Sequence, residues 1–135
     1  MNANNVGARY PDSFGSFAVS NAVPVFLGAT GNAIATLANI GTSYIVRRVT
    51  VAGASGSVAL ANVTILTSND GNTSNAVTNA AALTTVTGAT KFQDLPLSTA
   101  AASTVYSTPM YVYVGTAAAA NNSVEITVYG DVITL

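Results

Sequence analysis

Catalysis in this chain would have to rest on carboxylates, because the sequence holds no histidine and no cysteine. That rules out a Ser-His-Asp triad, a Cys-His dyad and any imidazole or thiolate metal site. The five acids are Asp12, Asp70, Asp94, Glu125 and Asp131. A glycosidase sets two such groups about 5–10 Å apart across a cleft. Here Asp12, Asp70 and Asp94 fall in or beside turns and loops, where an aspartate serves to hydrogen-bond the local backbone. Glu125 and Asp131 point outward on the last strand. The run Asn69-Asp70-Gly71-Asn72 offers oxygens but lacks the spacing and the closing bidentate Glu of a calcium loop. Neither Gly-x-x-x-x-Gly-Lys-Ser/Thr nor Gly-x-Gly-x-x-Gly occurs, so nucleotide binding lacks its usual cradle. The sequence predicts no catalytic residue, no metal and no cofactor.

The side chains left over suit contact with another protein. Arg47-Arg48 is the one dibasic pair. A regular strand sends the two to opposite faces, with Ile45, Arg47, Val49 and Val51 on one side and Val46, Arg48 and Thr50 on the other. An arginine on the core side either snorkels to solvent or meets a carboxylate at a subunit contact. Tyr111, Tyr113 and Tyr129 share the outer face of a C-terminal hairpin in this reading. That face is either an interface, where tyrosine buries its ring and keeps a hydrogen bond, or a second inner surface of a sandwich. Arg9, Tyr10, Phe14 and Phe17 decorate a polar N-terminal segment that either docks on a neighbour or is a disordered tail.

The elements that must hold these residues are strands and turns. Residues 1–12 read as an extended arm interrupted by Pro11, and residues 13–135 as one β domain. Val23–Leu27 carries Pro24, the mark of an edge strand or a strand start. Tyr44–Ala52 and Val58–Thr67 are strands separated by the turn Ala54-Ser55-Gly56, and Asp70-Gly71 is a favoured turn pair. Residues 73–90 read as strand or loop with at most one helical turn. Lys91–Leu97 is a strand broken by Pro96. Met110–Thr116 and Ser123–Leu135 alternate, placing Val112, Val114, Val124, Ile126 and Val128 on the core side, and their short polar connection predicts an antiparallel hairpin. About eight short strands with turns between them predict an all-β antiparallel sandwich or barrel.

Charge narrows the partners. Charged residues make up 7% of the chain, against about 25% in ordinary soluble domains. Four scattered cations and a net charge of −1 argue against nucleic acid and against an anionic membrane surface. A neutral Thr, Ser, Asn and Ala surface is comfortable when covered, which points to permanent assembly; a neutral secreted domain is the other reading. No basic-then-apolar leader and no run of about 18 apolar residues is present, and the lack of cysteine fits synthesis in a cytoplasm.

The segments Tyr44-Ile45-Val46-Arg47-Arg48-Val49-Thr50-Val51, Gly53-Ala54-Ser55-Gly56-Ser57 and Val63-Thr64-Ile65-Leu66-Thr67 resemble those of tailed-phage head decoration (cement) proteins. So do Met110-Tyr111-Val112-Tyr113-Val114 and Val124 through Val132. The resemblance covers about residues 40–135. It is one of strand and turn pattern and rests on no catalytic motif. It implies a jelly-roll-like β-sandwich that assembles as a homotrimer on the outer capsid surface, with the major capsid protein as partner and no enzymatic activity. Such a protein is made in the host cytoplasm and ends in the virion. A receptor- or glycan-binding fibre or tail tip domain is the alternative, and a surface or pilus-like subunit a further one.

Overall fold

The computed structural model describes residues 17–18, 23–37 and 43–133, with the backbone alone for Phe17, Val23 and residues 31–37. Arg9, Tyr10 and Phe14, and with them the predicted arm, lie outside the described residues. In chain order the strands are β1 (Phe17–Ala18), β2 (Val23–Phe26), β3 (Gly31–Leu37), β4 (Ser43–Ala52), β5 (Asn62–Leu66), β6 (Ala81–Ala82), β7 (Gln93–Leu95), β8 (Met110–Thr116) and β9 (Ser123–Ile133). Single 3-10 turns occupy Thr73–Asn75 and Ala100–Ser103. The first lies within residues 73–90, but ahead of Asn79–Leu83, where the alanines favour a helical turn and the chain instead forms β6.

The strands form two antiparallel sheets. One has the order β1-β9-β4-β7, with β2 also paired to β9; the other has the order β3-β8-β5-β6. The core lies between them. The first sheet contributes Val25, Tyr44, Val46, Val49, Val51, Val124, Ile126 and Val128, and the second Val63, Ile65, Met110, Val112 and Val114. β-branched residues dominate because they fit a pleated surface packed on one side. The fold is an all-β sandwich, as the alternating runs predict. Pro24 sits in β2, whose described partner is β9 alone. An edge tolerates a residue with no N–H to donate.

The predicted hairpin is not formed. β8 pairs with β3 and β5, whereas β9 pairs with β1, β2 and β4. The connection through residues 117–122 crosses from one sheet to the other. It is tied down where the chain between β2 and β3 makes the opposite crossing: Leu27 N–H donates to Asn122 O (3.0 Å) and Ala118 N–H to Leu27 O (2.8 Å). Asn121 Oδ1 accepts from Gly28 N–H at 3.1 Å, and Asn122 Nδ2 donates to Ser57 O at 3.0 Å. The small residues and asparagines of this loop thus tie the β2–β3 and β4–β5 connections together at one end of the sandwich.

β4 also departs from regular alternation. Its register against β9 shifts between Val46 and Arg48. Tyr44, Val46, Val49 and Val51 are buried, and Arg47 and Arg48 are both exposed. This is a β-bulge, in which one extra residue sits opposite a single partner. Gly130 makes room for it, because the Ile45 carbonyl and Val46 Cα occupy the space a side chain at 130 would need.

Candidate functional site

The bulge corrects the expectation for the arginines. Arg47 and Arg48 do not point to opposite faces, and neither approaches the core. Each meets a carboxylate of its own chain. Arg47 Nε donates to Asp131 Oδ2 at 2.8 Å, and Arg48 Nε to Asp94 Oδ1 at 2.9 Å. The Thr50 hydroxyl donates to the same Asp94 oxygen at 2.6 Å. The Arg48 guanidinium lies 5.7 Å from the centre of the Tyr129 ring, within cation–π range. The register explains the grouping, since Arg48 is opposite Tyr129 and Thr50 is opposite both Thr127 and Asp94. Asp94 is therefore a strand residue that locks β7 to β4, and not a turn residue.

Burial by itself would raise the Asp94 pKa. Hydrogen bonds from Thr50 and Arg48 and the Arg48 charge outweigh it, and the carboxyl titrates below its ordinary value. Asp70 also titrates low, because Ser68 Oγ and the Asn72 N–H donate to it. Asn72 Oδ1 in turn accepts from Ser74 N–H and Oγ. The oxygens of this loop are thus spent on the turn itself, which Gly71 completes at a φ of 74° that other residues rarely adopt. Among the described residues no three carboxylates gather as a metal would require.

The tyrosines separate as well. Tyr129 is on the outer side of the first sheet, beside Arg48. Tyr111 and Tyr113 are on the outer side of the second sheet, opposite Leu66 and Thr64 respectively. Leu66 and Thr64 are themselves buried, although they face away from the core between the sheets. Tyr111 and Tyr113 are half-buried next to them, an arrangement of cross-strand pairs that holds β8 to β5. The three rings form no common patch, because the hairpin that would have united them is absent. Phe17 falls in β1, opposite Gly130.

The two outer faces differ in charge. β4, β7 and β9 carry Arg47, Arg48, Asp94, Glu125 and Asp131, and four of these are paired with each other. The strands of the second sheet contain no charged residue. A pocket of about 190 Å³ lies between the two 3-10 turns, lined by Thr67, Asn75, Thr104 and Tyr106 among uncharged neighbours. It is smaller than the ~300–1,000 Å³ of common ligand sites. The sequence missed this pocket because its walls come from segments far apart in the chain. Comparison with family models, with curated protein sequences and with solved structures gave no match.

Proposed function

We propose that this chain is a structural virion protein that decorates and cements the outside of a capsid by bridging neighbouring capsomers. Its partners in this reading are the major capsid protein and further copies of itself, as a homotrimer. It performs no reaction. The observation that carries the reading is the absence of charged residues from the strands of the β3-β8-β5-β6 sheet, on a rigid frame where Arg47, Arg48, Asp94 and Asp131 are paired with each other. Such a sheet can lie on another protein without desolvating an unpaired ion. The same shallow contact repeated over a lattice adds up through avidity.

Strand order gives further support. Taken from β2 onward, β2-β9-β4-β7 faces β3-β8-β5-β6, so the chain changes sheet at nearly every connection. We read this interleaving as a jelly roll, an architecture shared by viral capsid and lectin domains. The lectin side of that comparison gives the alternative, a glycan-binding fibre or tail tip domain. The hydroxyl- and amide-lined pocket beside Tyr106 favours it.

Stripping the protein from particles and heating them tests the cementing role. The temperature of DNA release should fall on removal and recover on adding the protein back; an unchanged temperature refutes the reading. Copy number separates the alternatives. A cement is present in hundreds of copies per particle and a fibre tip in a few.

A further inference from the structure

One end of the sandwich gathers bare apolar side chains. Phe26 closes β2, Leu60 precedes β5 and Phe92 precedes β7; they are 54%, 67% and 58% exposed. Each sits on a fixed backbone. Phe26 is paired with Ser123. The turn at Leu60 is closed by Ala61 N–H donating to Val58 O at 2.9 Å. The Phe92 carbonyl accepts from Thr85 Oγ1 at 3.1 Å. Side chains presented this way lose little freedom when covered, which favours association.

The charges at the same end are unmatched. Glu125 lies between Pro24 on β2 and Ala52 on β4, in the row of the sheet that continues towards Phe92. Lys91 adjoins Phe92 in sequence. Both are exposed. Arg47, Arg48, Asp94 and Asp131 are in ion pairs, and Asp70 is held within its own turn. Lys91 and Glu125 are thus the charged groups among the described residues whose side chains have no partner. One cation and one anion of equal size, set in a single apolar end, complement a copy of themselves. In a head-to-tail contact closing into a three-fold ring, Lys91 of each copy faces Glu125 of the next while the phenylalanines are buried between them.

We infer that this end, centred on Phe26, Phe92, Lys91 and Glu125, is the surface through which the chain binds a second copy of itself. The inference rests on the self-association in the reading above and names its location. It is tested on the isolated protein by sedimentation equilibrium, with no capsid present. The wild type should associate, and Phe92→Glu and Phe26→Ser should each raise the dissociation constant at least about tenfold. Lys91→Glu and Glu125→Lys should each weaken association, and the double reversal should restore it to within about threefold, because the charges then match again. All four residues are exposed, and a cooperative thermal transition shows that a variant is folded.

A wild type that stays monomeric at millimolar concentration overturns the inference, as does a double reversal weaker than either single change. Variants that remain associated but lose capsid binding also overturn it, and assign this end to the capsid. A monomeric protein that still raises the DNA release temperature leaves the cementing role standing and removes this interface alone.

Discussion

At the scale of single residues, Gly130 and Tyr44 are the most exposed to test. The Ile45 carbonyl fills the space beside Gly130 Cα, so Gly130→Ala has to push two central strands apart. We expect a loss of about 1–3 kcal/mol, measured by urea denaturation. Tyr44 is buried and donates its hydroxyl to Thr108 O at 2.6 Å. Burial, with a smaller contribution from neighbouring Tyr106, pushes its pKa up to about 12. The folded protein therefore holds that proton more tightly than the unfolded chain, whose tyrosine titrates near 10. The stabilisation is whole below pH 10 and is lost as the pH rises from 10 towards 12. Tyr44→Phe should cost about 1 kcal/mol at neutral pH and flatten the decline above pH 10. Asp94 behaves oppositely. Its folded pKa is lowered, so its contribution is present above the unfolded value and fades as acid protonates it. Both partners of the Arg48–Asp94 pair are about half exposed, so Asp94→Asn should cost no more than about 1 kcal/mol at neutral pH. It should also make the acid limb of the stability curve shallower.

At the scale of elements, the bulge in β4 shows what a residue pattern can and cannot convey. Alternation marked Val112, Val114, Val124, Ile126 and Val128 as core residues, and all five are buried. Pro24 marked an edge. Alternation says which side of a strand is apolar but not which strand lies beside it. A short polar loop after an alternating run reads the same whether the chain turns back in its sheet or crosses to the other one. That is why the tyrosines were grouped wrongly. The bulge was hidden because both residues at the break are arginines. With Arg47 removed, Tyr44, Val46, Val49 and Val51 alternate without interruption, and so Arg47 is the inserted residue. Deleting Arg47 should leave the protein folded, with thermal unfolding still cooperative. Deleting Thr50 should abolish folding, because it turns one half of the strand inside out. In the Arg47 deletion Gly130→Ala should cost less than in the wild type, since the bulge that crowds it is gone; a thermodynamic cycle measures the coupling.

At the scale of the whole molecule, the uncharged sheet and the ion-paired sheet give the sandwich two unlike sides. If the uncharged side is the one that meets a capsid, placing a charge there should block attachment, and a similar charge on the other side should not. Thr116→Lys lies on an exposed position of β8, and Thr127→Lys lies on the opposite sheet. In a pelleting assay with particles stripped of the protein, Thr116→Lys should lower occupancy at least about tenfold and Thr127→Lys should leave it near wild type. Equal effects would remove the assignment of sides. Little of this was legible beforehand. Charge sparsity can be counted in the sequence, but its concentration on β4, β7 and β9 exists only once the strands are sorted into sheets.

The position of β9 has a further consequence. It touches β1, β2 and β4, yet it is synthesised after every other strand. Until β9 has been made nothing joins β2 to β4, and β4 has only β7 beside it among the described strands. Their valines remain open to solvent and to other nascent chains until the final strand emerges. The sandwich therefore closes only once β9 has emerged, and a chaperone that shields apolar strands should raise the yield of soluble protein more than slower synthesis does.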